Sequence, residues 1–150
     1  GASTCSRRKR GIQNQANGRS RGGPTTKIHI AVDALGNPLR LVPTPGQVHD
    51  STQAEALVDG FVPGHVIADK AYDTNIFRAY LAFRATAVIP TVGSRKEPIP
   101  YDEHRHQERH LVECFINKIK HFRRVATRYV KTVASFFGFV AIAAFMVWLR

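Results

Sequence analysis

Apolar residues recur along this chain in different rhythms, and each rhythm predicts a different element. The runs KIHIAV (27–32) and PLRLV (38–42) alternate apolar and polar side chains, with DALGNP between them. Gly36 and Asn37 suit a tight turn there, so the segment predicts a β-hairpin. Beyond Pro45 and Gly46, HDSTQAEALVDGF predicts a short helix capped by Asp50 or Ser51, with Ala54, Leu57 and Val58 facing inward. Val66, Ile67 and Ala68 then form a short apolar run that fits a buried strand ending on the carboxylate of Asp69. A helix is expected from Asn75 to Arg84, and TAVIPTV is a second buried strand. Pro98 and Pro100 make GSRKEPIPYDEH a loop. From Tyr101 to Phe137 neither Gly nor Pro occurs, which predicts a long helix or a helix pair. The order β-β-α-β-α-β-α is that of an α/β sheet covered by helices.

The two ends depart from these rhythms. Residues 1–24 are rich in Arg, Gly, Asn and Gln and have no hydrophobic period, which predicts an extended basic arm. Residues 132–149, TVASFFGFVAIAAFMVWL, carry no charge. As a membrane span that stretch is at the short limit, and no second span accompanies it. The reading adopted is a helix buried against one face of the sheet, with no membrane partner.

Composition adds a partner class. The chain has 150 residues, 43% of them hydrophobic, which suits one domain with a real core. It carries 22 Lys and Arg against 11 Asp and Glu, a net charge of +11. Such a surplus favours a polyanion, nucleic acid before an acidic membrane, against the plainer alternative of a surface kept basic for solubility. Cys5 and Cys114 have no CxxC spacing, so neither a disulfide framework nor a zinc knuckle is expected, and a reducing cytoplasm fits. The first ten residues are small, polar and basic rather than a secretory signal. The opening Gly suggests a piece of something longer.

Charge also singles out one residue. In RHLVECFINKIKHFRRVATRY (109–129) a single acid, Glu113, sits among cations. With residues 106–128 on one helix at about 100° per residue, Arg109, Glu113 and Lys120 fall within roughly 40° of one another, beside Asn117 and Arg124. Leu111, Val112, Phe115, Ile119 and Phe122 gather on the opposite face. One explanation is ordinary pairing of Glu113 with Arg109 and Asn117, contributing about 0.3–0.5 kcal/mol per pair. The other is that Glu113 ligates a divalent cation, because Mg²⁺ takes hard oxygen donors, while the neighbouring cations hold phosphates. The second needs another carboxylate from a different element, and Asp69 is the best placed.

These residues carry a resemblance. Arg109-x3-Glu113-x6-Lys120 resembles the signature around the catalytic Glu of DDE-type insertion-sequence transposases, and VIADKAYDT resembles their second-carboxylate motif, ADKGYD. GRSRGGPTTKIHIAVDALGNPLRLVPTPGQVHDS and VATRY are similar to the stretches on either side, so the likeness covers nearly the whole chain. It implies a ribonuclease H-like α/β fold, a mixed sheet flanked by helices and here without its first strand. Residues 25–150 would be the C-terminal part of that catalytic domain. It further implies DNA cutting and joining with Mg²⁺ or Mn²⁺, with Asp69 and Glu113 as catalytic metal ligands. DNA contacts would come from Arg109, Lys120 and His106, and from Arg123, Arg124, Arg128, Arg19 and Arg21. The partners would be transposon ends and target DNA, possibly a second copy of the chain, in a bacterial cytoplasm at the nucleoid. Three positions depart from the pattern: His106 stands where the family has Tyr, Ala71 where it has Gly, and Gly1 where its first catalytic Asp belongs. The rival from another class is a non-catalytic basic DNA-binding remnant.

Other acids and clusters have plainer readings. Asp33 supports the hairpin turn, and Asp50 and Asp73 are expected to cap helices. His104, His106 and His110 lack a fourth zinc ligand at natural spacing. GRSRGG lacks the Lys-Ser/Thr of a phosphate-binding loop, and no Ser has a His and an acid arranged beside it as a nucleophile motif.

Overall fold

The computed structural model describes residues 18–20, 23–127, 130 and 132–149. The expected hairpin is its longest β feature. β2 (Gly23–Val32) pairs antiparallel with β3 (Pro38–Pro45), and a short β1 (Gly18–Ser20) adds to the start of β2. Strand thus begins inside the stretch expected to be an arm; of residues 1–24, 1–17 and 21–22 lie outside the described residues. Asp33 closes the β2–β3 turn by accepting from the amides of Leu35 and Asn37, both at 2.8 Å. Gly36 turns there with φ +80°, buried against Leu111.

A 3-10 turn (Asp50–Gln53) leads into α1 (Ala54–Val58), which buries Ala54 and Leu57 as expected. Its cap differs: His49, not Asp50 or Ser51, accepts the Ser51 amide. β4 (His65–Ile67) and β5 (Thr86–Val88) pair in parallel, with α2 (Asn75–Leu81) crossing between them. β4 is half-buried rather than buried. The strands therefore form two sheets among the described residues, one of three strands and one of two, where a single mixed sheet was expected.

Where a long helix or a helix pair was expected after Tyr101, separate shorter helices follow one another. α3 (Glu103–His106) passes through a 3-10 turn into α4 (His110–Lys120), and α5 (Arg123–Ala126) follows a break at Phe122, whose backbone is extended. On either side of the break, Phe122 and Val125 lie against the core that Phe115 and Ile119 build. α6 (Val133–Trp148) lays Val140, Ala143 and Ala144 on the same core, over β2 and β3. That is the expected burial on one face, but Ile142, Phe145, Met146, Trp148 and Leu149 remain exposed. No helix among the described residues is long and apolar enough to cross a membrane.

Two cores result. One unites β2, β3, α4, α5 and α6 around Phe115 and Val140; the other unites α1, α2, β4 and β5 around Phe77, Leu81 and Ile89. Phe115 is fully buried, so Phe115→Ala leaves a cavity and is expected to lower unfolding free energy by about 3–5 kcal/mol. Phe83 is 96% exposed, and Phe83→Ala is expected to stay within about 0.5 kcal/mol. Urea unfolding of the two variants beside the parent checks both.

Candidate active site

Asp69 leaves β4 and caps the following 3-10 turn (Lys70–Tyr72), its Oδ1 accepting the Lys70 amide at 2.8 Å. That bond holds the carboxylate through one oxygen and leaves Oδ2 available to other partners. Glu113 projects from the first turn of α4, where Arg109, one turn earlier, donates from Nη2 to Glu113 Oε1 at 2.8 Å. The plain helix pairing is therefore real. The same guanidinium also reaches across the fold, with Nη1 3.7 Å from Asp69 Oδ2. One cation thus joins two carboxylates that the sequence separates and the fold brings together. All three side chains are partly exposed, at 38% for Arg109, 52% for Asp69 and 57% for Glu113.

The donor set suits a divalent cation of the Mg²⁺ type. Both carboxylates are hard oxygen donors, both are accessible, and both already converge on one positive charge; one or two carboxylates with water and substrate oxygens is an ordinary Mg²⁺ environment. No group of three or more His, Cys, Asp or Glu able to hold a metal occurs among the described residues.

Other expected contacts fall around this pair. Lys120 is exposed at the far end of α4. His106 stacks edge-on against Tyr101, and its buried Nε2 has no hydrogen-bond partner. Arg124 lies off the face that a continuous helix would give it and sits 5.0 Å from the ring of Phe139. Arg123 is exposed on α5. Arg21, Arg128 and the side chain of Arg19 lie outside the described residues, as do Gly1 and Cys5. Cys114 is exposed and unpaired.

Neither Asp73 nor Asp50 N-caps a helix with its side chain. Thr74 caps α2, leaving the Asp73 carboxylate, with no exposed surface, to accept from Arg78 Nε at 2.6 Å, Arg95 Nη2 at 3.0 Å and the Val92 amide at 2.7 Å. Burial pushes this carboxyl up, but the Val92 amide and the two guanidinium groups outweigh it and hold it at about 2. Arg78 also donates to the Ile89 carbonyl, and Arg95 to Asn75. The cluster clamps the turn after Asp69 to the loop after β5. Two arginines flanking a strand were the available sequence signal, but nothing local tied them to Asp73.

Asp50 instead receives Lys27 Nζ at 2.9 Å and lies 3.6 Å from Nδ1 of buried His29, whose Nε2 contacts Thr44 Oγ1 at 2.8 Å. Burial lowers the His29 pKa, opposed by Asp50 and assisted by Lys27. Burial, with the nearby charges of Asp50 and Asp69, raises the Tyr72 phenol to about 12.

Asp73→Asn is expected to cost about 3–5 kcal/mol, because the fully buried carboxylate is the counter-charge of two half-buried guanidinium groups. The depressed carboxyl stabilises the fold fully above its unfolded pKa, near 4. That contribution, about 2–3 kcal/mol, is lost as pH falls from roughly 5 towards 2. Acid titration of stability checks the sign: the parent loses stability through that window and the variant loses less.

A family model described as the transposase DDE domain matches residues 2–149. A protein of Brucella ovis, provisionally named as a transposase for insertion sequence element IS6501, is 48% identical over 129 residues, which cover 84% of this chain and 99% of the relative. Another, of Burkholderia cepacia and provisionally named for insertion sequence element IS402, is 31% identical over 121 residues; this chain spans 56% of its length. No solved structure matches significantly. With a family match along nearly its whole length and a close relative of similar extent, the chain belongs to the DDE-domain family of insertion-sequence transposases.

Proposed function

We propose that residues 25–150 are the C-terminal part of a ribonuclease H-like catalytic domain, preceded by a basic segment (1–24) whose end enters the strands β1 and β2, and that this domain cuts and joins DNA phosphodiesters by two-metal catalysis with Mg²⁺ or Mn²⁺. The observation that carries this reading is the single guanidinium between Asp69 and Glu113, which places the two carboxylates around one cation position. In this reading Asp69, braced through Oδ1, and Glu113, on the first turn of α4, are the ligands. A divalent ion bound there supplies charge stabilisation for the attacking and leaving oxygens of the phosphodiester. The third carboxylate that a complete pair of ions requires falls, by family resemblance, at position 1, where this chain has Gly.

The remaining side chains position DNA. Arg109, at the end of the 3-10 turn before α4, and Lys120, exposed at the end of α4, with His106 on α3, would hold phosphates near the carboxylates. Arg123, Arg124, Arg128, Arg19 and Arg21 would add sequence-independent backbone contacts, in keeping with the net charge of +11. The partners are then transposon ends and target DNA, in the cytoplasm at the nucleoid, with a second copy of the chain as a possible companion.

Supercoiled plasmid incubated with the chain in Mn²⁺ tests the reading. Nicking by the parent would mean that another carboxylate takes the place of the one missing at position 1, and it is then expected to fall at least about 10–100-fold in Glu113→Gln, since losing even an outer partner of a metal ligand costs that much. No nicking by either would leave a non-catalytic DNA-binding role. Lys120→Ala is expected to weaken duplex binding evenly across sequences and reduce the salt slope by about one, read from binding titrations at several salt concentrations.

A further inference from the structure

The Arg109 guanidinium lies between the two carboxylates and contacts each with a different nitrogen, at 2.8 Å to Glu113 and 3.7 Å to Asp69. Two acids brought this close repel, and a forked, permanently charged group relieves both at once. It also stands in competition with any other cation for the same oxygens. The carboxylates cannot give all their lone pairs to a hard ion while they pair with Arg109. A guanidinium has one equally good alternative partner, a phosphate, which it grips through the same fork. Arg109 is 38% exposed and begins α4 from a 3-10 turn, so it is accessible to solvent and to an incoming phosphate.

We propose that Arg109 is a resident counter-ion for the Asp69–Glu113 pair, and that a DNA phosphate promotes divalent-cation binding by drawing Arg109 away from the two carboxylates. The inference rests on the reading of Asp69 and Glu113 as metal ligands. It gives the arginine two alternating partners rather than one. Without DNA one of the two negative charges is neutralised internally and the site holds a divalent ion weakly. With DNA bound, phosphate takes the guanidinium and the carboxylates turn to the ion. Because coupling is reciprocal, the ion must tighten DNA binding by the same factor that DNA tightens the ion.

Mn²⁺ binding to the full chain, followed by the electron paramagnetic resonance of the free ion, reads this without any turnover. The chains compared are the parent, Arg109→Ala, Arg109→Gln and the pair Asp69→Asn and Glu113→Gln, each with and without a short duplex of arbitrary sequence. The doubly neutralised chain supplies the background for Mn²⁺ held by DNA itself. Removing Arg109 is expected to tighten Mn²⁺ roughly tenfold without DNA, and duplex to tighten the parent by a similar factor, the size of an ordinary coupling. Duplex should then add nothing in either Arg109 variant. Two variants guard against one that fails to fold.

Mn²⁺ binding that needs both carboxylates but weakens or stays unchanged when Arg109 is removed would overturn the inference and make Arg109 a residue that merely positions them. Tightening in the Arg109 variants without any response of the parent to duplex would overturn the exchange with phosphate. Mn²⁺ binding indifferent to Asp69→Asn and Glu113→Gln would instead bring down the metal-ligand reading, and the inference with it.

Discussion

The buried carboxylate of Asp73 is the constraint on which the geometry of the site rests. Itself without exposed surface, it holds two half-buried guanidinium groups and a backbone amide, and losing the carboxylate would leave both cations without their counter-charge. Through Arg78 the cluster grips the carbonyl of Ile89, at the end of the parallel pair. Through Arg95 and Val92 it fixes the loop beyond that pair. The Asp73 amide bonds Lys70, and the Tyr72 amide bonds Asp69, so the brace extends along one short turn to the carboxylate that faces Arg109. Exposed ion pairs such as Arg109–Glu113 contribute little stability by themselves. Their arrangement persists because a buried network a few residues away leaves the turn little freedom.

What could be read from sequence divides along the range of the interactions. The hairpin was legible because period-two alternation and Gly36 are local signals, and α1 and β4 came from short apolar runs of the same kind. Asp69 was legible because a carboxylate closing an apolar run is conspicuous, and Glu113 because it was alone among cations. The role of Asp73 was not. Its partners, Arg78 and Arg95, are brought in by the fold of α2 and β5, and a local reading could see only a polar residue ahead of a helix. Asp50 was misread as a cap for the same reason, since Lys27 and His29 reach it from a strand far earlier in the chain. The break at Phe122 was hidden because no Gly or Pro marks it, and Phe122 and Val125 keep their places against the core on either side of it.

Charge is distributed with a matching logic. A chain with net charge +11 engages several arginines with its own groups: Arg78 and Arg95 pair with Asp73, half-buried Arg40 lies over Phe61 and exposed Arg84 over Tyr80. Around the acidic pair the balance is local, with Arg109 closest and Lys120 on the same helix. The acids therefore sit within a positive field that draws phosphate towards them while Arg109 limits their mutual repulsion.

The division into two cores has its own consequence. Asp69 hangs from the cluster around Phe77 and Leu81, whereas Glu113 belongs to the helix that completes the cluster around Phe115. The two acids are thus anchored in different hydrophobic units and meet only across the seam between them. Proteins open in cooperative pieces, at free energies well below that of global unfolding. A pair anchored this way is assembled only while both units are folded and docked, so its lifetime is set by the weaker of the two or by the seam itself. The acids would part in such an opening while most amides of either core stay protected from exchange.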